Sequence, residues 1–362
     1  MENRTVLVCP LDWGIGHATR CVPVIRILQQ RGWRVVVAAS GRPLEFLKKE
    51  FPGIPCADFP GIKIRYPKNA AFAWRMIRVA PRFLVQIFRE HAALKKILKK
   101  EPVSLVISDN RYGLWSSDCR TVLITHQLSF DLPHGLRWSL PLLEKAVRFF
   151  AGKFDECWIP DFEQPLGLAG RLSHPEKLPP NASYIGILSR FSRPMLSDQP
   201  AAGTGAEILV LLSGPEPQRT ILEQKLLRQL KRTDLRTAVI RGITEKEGTS
   251  EPAPHITMYN HLKTGILRDL INEVLVVIGR SGYSTIMDLV TMGKRAIFIP
   301  TPGQTEQEYL SRHLMDKKIF FSMSQESFDL IYALELSRNY PGMVLENDYA
   351  VLERAIEALE TK

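Results

Sequence analysis

The chain has 362 residues, 45% hydrophobic and 24% charged, with a formal net charge of +10. That size predicts about two domains at roughly 150 residues each, and the composition excludes a disordered or fibrous chain. The longest run free of charged side chains, 178–189, spans 12 residues, well short of the ~18 that a membrane-spanning helix needs. Five cysteines without Cys-x-x-Cys spacing argue against a disulfide frame and a zinc site. No signal-peptide pattern precedes the first strand. The expectation is a cytoplasmic protein with buried thiols and no bound metal.

Residues 5–11 form a predicted buried strand. A glycine-bearing loop follows, Asp12-Trp13-Gly14-Ile15-Gly16-His17, then a helix over about 18–30 stopped by Gly32 and a second strand over 33–39. The opening is Rossmann-like without the dinucleotide fingerprint. Thr19 stands at the third glycine position, and Ser40-Gly41-Arg42 offers no ribose-binding acid after the second strand, which disfavours an oxidoreductase. His17 has two readings: a histidine packing at a helix start, or a general base, for which an imidazole pKa near ~6.5 is suited.

Residues 63–100 hold eleven Lys or Arg against one acid, Glu90, and this surplus equals the net charge of the whole chain. Pro81 divides 70–100 into two predicted amphipathic helices. Phe83, Leu84, Ile87, Phe88, Leu94 and Leu98 supply an apolar stripe, with Arg82, Arg89 and Lys96 elsewhere. One reading is a core-facing helix with a solvated basic side. The other is contact with an anionic membrane surface, where each basic residue contributes ~1 kcal/mol; Phe72 and Trp74 add aromatic side chains to that reading. No nucleic-acid motif is present, so nucleic acid is not an expected partner.

Buried strands at 103–108 and 122–125 end in Asp109-Asn110-Arg111-Tyr112-Gly113 and in His126-Gln127. Both polar clusters fall at carboxyl ends of strands, where doubly wound sheets bind ligands. Asp109 competes with His17 as a base, while His126 is equally read as structural. A basic-aromatic helix is expected over 137–154, and 156–160 is the expected last strand of the first domain. Residues 161–205, rich in Pro, Gly and Ser, mark the boundary. Beyond it, 207–212 and 236–241 are strands, Ser213-Gly214-Pro215-Glu216-Pro217-Gln218-Arg219 precedes a helix at 220–231, and 245–254 is a polar loop. A terminal helix covers 349–360.

The most informative stretch is 274–309. A β-branched run at 274–278 reads as a buried strand, followed by the turn Gly279-Arg280-Ser281-Gly282 and a helix over 284–292 with Gly293 as its C′ stop. Residues 295–300 form a second strand. After the loop 301–304, Thr305 with Glu308 three residues on reads as a capping box opening another helix. In such a βαβα unit, backbone N–H groups and helix dipoles at the strand ends favour an anion, so the unit suits a nucleotide diphosphate. Asp288 and Glu308 also have a plain reading as helix caps.

Arg280-Ser281-Gly282, Asp288, Gly293, Pro300 and Gln307 together resemble the donor-nucleotide signature of UDP-sugar glycosyltransferases of the GT-B fold. The likeness is greatest to the peptidoglycan-precursor N-acetylglucosaminyltransferases of family 28. The glycine loop ending in His17 resembles the family's acceptor-side loop, and Gly186 with Arg190 resembles its linker segment. The resemblance implies an α/β fold of two Rossmann-like domains facing across a cleft. The acceptor-side domain is 1–185 with the terminal helix 346–362, and the donor domain is 186–345. It further implies donor contacts from Arg190, Gly214, Arg280, Ser281, Gly282, Asp288, Gln304, Gln307 and Glu308. Ribose hydroxyls fall to Asp288, and ribose and sugar to the glutamines. Glu308 departs from the family's second glutamine, which leaves the donor sugar open. Residues 257–262 stand where the family's backbone reads uracil. Gly14, Gly16, Asn110, Arg111 and Gln127 fall on the acceptor side.

The function so implied is inverting transfer of GlcNAc or another hexose from a UDP-sugar to a hydroxyl acceptor, lipid-linked if the basic segment meets a membrane. His17 or Asp109 acts as base, and no cofactor is required beyond the donor itself. Arg190 and Arg280 stabilise the leaving diphosphate. Two alternatives use the same fold: a UDP-sugar 2-epimerase, and a non-catalytic nucleotide-binding or membrane-recruiting subunit.

Overall fold

The computed structural model describes residues 4–59, 72–191, 203, 205–214, 216–345 and 349–361, and for 72–81 the backbone alone. The first seven strands are β1 (Thr5–Pro10), β2 (Arg34–Ala39), β3 (Cys56–Asp58), β4 (Leu105–Asp109), β5 (Arg120–Ile124), β6 (Glu156–Ile159) and β7 (Ala182–Tyr184). They form one parallel sheet in the order β3-β2-β1-β4-β5-β6-β7. The second sheet comprises β8 (Ile208–Leu211), β9 (Thr237–Ile240), β10 (Thr249–Ala253), β11 (Ile256–Tyr259), β12 (Val276–Gly279), β13 (Ala296–Phe298) and β14 (Phe321–Ser322). Its order is β10-β11-β9-β8-β12-β13-β14, parallel except where β10 meets β11. Val, Ile and Leu dominate the central strands because both faces are covered by helices.

The helices are α1 (Ile15–Gln30), α2 (Gly41–Glu50), α3 (Phe72–Leu98), α4 (Leu140–Ala151), α5 (Gln218–Leu230), α6 (Thr264–Glu273), α7 (Tyr283–Thr291), α8 (Thr305–Asp316), α9 (Leu330–Leu336) and α10 (Ala350–Thr361). Chain order reverses between β1 and β4 in one sheet and between β8 and β12 in the other. These are the switch points outside which ligands of such sheets bind. Helix α1 leaves the first switch point and α7 the second, and the two helices pack together, with Ser284 Oγ donating to Gly16 O at 2.8 Å. Helix α10 returns to the first domain. Its Glu360 accepts from Arg31 and from Trp33 Nε1 at 2.9 Å, and the carbonyl of Leu359 accepts from Arg120.

Several sequence expectations need correction. Helix α1 begins at Ile15, so His17 lies within its first turn rather than before it. Segment α3 is one 27-residue helix through Pro81, not two; Ile87, Glu90 and Leu94 are buried along it, and this burial outweighs the hydrogen bond that proline removes. Residues 134–139 are a 3-10 turn ahead of α4. The first sheet continues past β6 into β7, and the polar loop at 245–254 contains the edge strand β10, whose Pro252 is tolerable only at a sheet edge. Gly293 does adopt the left-handed conformation of a helix stop, φ 61°. Cys9, Cys21 and Cys157 are buried, but Cys56 is exposed. Residues 63–71, 192–202 and 346–348, the side chains of Phe72 and Trp74, and Pro215 lie outside the described residues. Among the described residues no helix is long and apolar enough to cross a membrane.

Candidate active site

The loop 11–14 hands β1 directly to α1, and Gly14 caps the helix without a side chain. Gly16 is required by proximity: a Cβ there would come within 3.0 Å of Ser284 Oγ from the second domain. One residue on, His17 turns its Nδ1 toward Oδ1 of Asp109, 3.2 Å away. Asp109 ends β4, fully buried. Arg20, one helical turn beyond His17 and only 2% exposed, grips Asp109 with two nitrogens, its Nε standing 2.5 Å from Oδ2. Arg20 Nη2 also lies 2.9 Å from His17 Nδ1, and Cys21 Sγ 3.7 Å from Asp109 Oδ2.

The chain of contacts continues across the cleft. Arg20 Nη1 is 3.0 Å from Nδ1 of His126, and Nε2 of His126 is 3.1 Å from Oε1 of Glu306, in the first turn of α8. Tyr283, which opens α7, stacks on the His126 ring with centroids 4.4 Å apart and donates to Pro160 O at 2.9 Å. His17, Asp109 and His126 thus share one cluster, joined by Arg20 and Glu306, which sequence reasoning passed over. Neighbouring acceptor-side residues are committed elsewhere. Arg111 is buried, donating to Pro10 O, Glu90 and Asp12 at 2.9, 2.9 and 2.6 Å; it is a strut of the loop rather than a free contact. Asn110 adopts φ 58° and accepts from Thr125 Oγ1. Gln127 is half-buried, its backbone N–H donating to Thr125 Oγ1.

On the donor side, Asp288 does not cap α7. Its two oxygens accept from Ser189 Oγ at 2.8 Å and from Arg190 Nε at 3.3 Å, binding the helix to the segment that joins the domains. Arg190 lies over the rings of Phe46 and Phe191. Arg280 is 1% exposed, and its guanidinium holds the carbonyls of Ile299, Pro300 and Gln218 and the side chain of Gln325. Arg280 thus pins the segment after β13 to the start of α5 and to Gln325. Ser281 Oγ donates to Gln307 O, Gln307 Oε1 accepts from Thr301 N, and Glu308 Oε1 accepts from Gly303 N. Gln304, not Thr305, is the cap position of α8, and it makes no side-chain cap bond. Gly214 and Gly282 border open space, with no atom within 4 Å of where a Cβ would stand. Two surface cavities, of about 510 and 520 Å³, share no lining residue with this cluster. Among the described residues no group of three or more His, Cys, Asp or Glu is arranged to hold a metal ion.

Residues 216–337 match the glycosyltransferase family 28 C-terminal domain. A Pasteurella multocida protein named UDP-N-acetylglucosamine–N-acetylmuramyl-(pentapeptide) pyrophosphoryl-undecaprenol N-acetylglucosamine transferase is 23% identical over 329 residues, 87% of this chain and 82% of that one. Among solved structures, the glycosyltransferase SnogD from Streptomyces nogalater superposes with a TM-score of 0.61 at 14% identity, covering 99% of this chain and 100% of that one. The spinosyn rhamnosyltransferase SpnG complexed with thymidine diphosphate gives 0.61 at 15% identity, covering 98% of this chain and 100% of that one. This chain is a family 28-like glycosyltransferase. Its two facing Rossmann-like domains are the GT-B fold.

Electrostatics divide this glycosyltransferase's titratable groups by role. Burial and the Arg20 cation lower the pKa of His17, against the pull of Asp109, and keep its imidazole neutral. Burial opposes ionisation of Asp109, yet Arg20 and His17 outweigh it and hold the carboxyl at about 2. Glu306 is likewise held below its ordinary value, with His126, His17 and Arg20 outweighing burial. Asp288 is raised, because burial there exceeds what Arg190 and Ser189 return. Arg280, buried with no carboxylate among the partners described above, falls to about 9.

Proposed function

We propose that this glycosyltransferase is a hexosyltransferase that moves a sugar from a UDP-sugar to a hydroxyl acceptor, inverting the anomeric carbon with His17 as base. The observation that carries the reading is the His17–Asp109 pair at the mouth of α1, facing the donor domain. His17 Nδ1 meets both the Asp109 carboxylate and the Arg20 donor, which call for opposite tautomers; the proposed reaction uses the one with Nδ1–H donating to Asp109, in which Nε2 keeps a lone pair for the acceptor's proton. As the hydroxyl oxygen bonds to the anomeric carbon, its proton passes to His17 Nε2 and the bond from that carbon to the diphosphate breaks. The departing charge falls to helix N-termini and Arg190. A carboxyl held at about 2 is a weak base, so Asp109 orients His17 and stabilises its cation.

The Pasteurella multocida relative is a UDP-N-acetylglucosamine transferase by name, which supports uridine and GlcNAc on the donor; thymidine diphosphate in another structure of this fold makes the nucleobase worth testing. A lipid-linked acceptor fits one face of the first domain. Leu84 and Phe88 of α3 are exposed, Phe88 at 61%, as are Trp138, Leu142 and Phe149 on or just before α4. His91 stacks on Trp115, and Lys153 lies over both Trp115 and Phe149, which joins the two helices. Arg82, Arg89, Lys95, Lys96, Arg137 and Lys145 are exposed on the same elements. We place the protein on this basis at the cytoplasmic face of an anionic membrane.

The test is incubation with UDP- and TDP-hexoses, with and without a membrane-lipid extract, following nucleoside diphosphate release and the product's anomeric configuration. Acceptor-dependent UDP release with inversion is expected. Release or epimerisation without acceptor points to the 2-epimerase alternative, and binding without turnover points to a non-catalytic subunit.

A further inference from the structure

We propose that Glu306 is a positioning residue which the donor domain contributes to the base His17, acting through His126 and only while the two domains are closed. The inference rests on His17 being the base and assigns a role to two residues that the transfer chemistry does not itself require.

The geometry supports it from two elements. Helix α8 brings the Glu306 carboxylate 3.1 Å from His126 Nε2, and α7 brings Tyr283 flat against the same ring. Both are donor-domain residues, while His126 follows β5 in the acceptor domain. A carboxylate at Nε2 requires the proton there, so Nδ1 carries the lone pair that accepts from Arg20 Nη1 at 3.0 Å. Held at that end, the Arg20 fork presents Nε and Nη2 to Asp109, and Asp109 in turn fixes His17. Opening the cleft removes Glu306 and Tyr283 together and leaves His126 free to turn.

Charge follows the same path. The ionisable groups around His17 are Arg20 and Cys21 from its own helix, Asp109 from β4, His126 from beyond β5, and Glu306 from α8. Arg20 and Asp109 cancel. Because Arg20 Nη1 takes the lone pair of His126 Nδ1, that ring carries a single proton, on Nε2 toward Glu306, and Glu306 supplies the surplus negative charge of the closed cluster, which favours the imidazolium that His17 becomes during transfer. Proton affinity at the base is therefore highest when the donor domain is in place.

Steady-state kinetics of Glu306→Gln between pH 5 and 9, at varied UDP-sugar, test this. Glutamine keeps an acceptor for His126 and removes the charge. The expected result is a kcat lowered about tenfold, donor KM unchanged within about twofold, and an acidic limb of kcat displaced downward by roughly half a pH unit or more. Glu306→Asp, which keeps the charge, restores the limb toward its wild-type position even if turnover stays low. A raised donor KM with an unmoved limb overturns the proposal and makes Glu306 a sugar contact. Unchanged kinetics overturn it too, leaving a structural interdomain contact. If His17→Ala keeps full turnover, the reading of His17 as base has failed instead, whatever Glu306→Gln does.

Discussion

At the scale of the residue, the decisive feature is that one buried guanidinium serves two partners of opposite need. Arg20 neutralises Asp109 and at the same time keeps His17 from charging, so the imidazole waits in its basic form. Two expectations follow at this scale. The Asp109 pKa is depressed, so its stabilising effect is full above the unfolded value near 3.8 and is lost as pH falls through about 2. At neutral pH that is about 2 kcal/mol. Asp109→Asn leaves Arg20 buried against a neutral partner and is expected to cost about 3–5 kcal/mol, read as a lower urea midpoint at pH 7, with the difference from wild type shrinking toward pH 2. The nearness of His17 and Asp109 was legible from the sequence because His17 lies in the first turn of the helix after β1 and Asp109 ends β4. Arg20 and Glu306 were not: a charged residue in a helix reads as solvated, and the partners that engage them, 89 and 180 residues distant, are set by the tertiary fold.

Among the elements, the contact between α1 and α7 governs how closely the domains meet. Gly16→Ala places a methyl 3.0 Å from Ser284 Oγ, tight enough to push the helices apart. Turnover is expected to fall several-fold, while the double variant Gly16→Ala with Ser284→Ala recovers most of it. Equal loss in single and double variants shows that the effect lies within α1. The long apolar strands and the two glycine turns were legible because their periodicity is set by local burial. The three-residue β7 and the proline-bearing β10 were not, since an edge strand is defined by the neighbour it pairs with rather than by its own pattern. Arg280 lies in the turn as read, but its partners, the carbonyls of Ile299 and Gln218 and the side chain of Gln325, are brought to it from elsewhere in the chain and leave no local trace.

Over the whole molecule, two seven-stranded sheets are tied by the 185–191 segment, where Asp288 holds Ser189 and Arg190, and by α10 returning to α1. The net charge gathers on the first domain, and Glu90, its only acid within 63–100, is buried against Arg111. The charged residues described on the exposed face of α3 are therefore all basic, set among the exposed Leu84, Val85 and Phe88. Vesicle co-sedimentation is expected to increase with anionic lipid and to weaken as salt brings the Debye length below ~10 Å. Equal partitioning to neutral vesicles contradicts a charge-led contact. The central claim joins both domains in one reaction, and the measurement that tests it most directly is the rate of UDP release from a UDP-sugar, with and without acceptor, for wild type and His17→Ala. Wild type should release UDP only with acceptor. His17→Ala should lose ~10²–10⁴ in kcat while titrating UDP with unchanged affinity. UDP release that ignores the acceptor, or His17→Ala turning over at the wild-type rate, contradicts it.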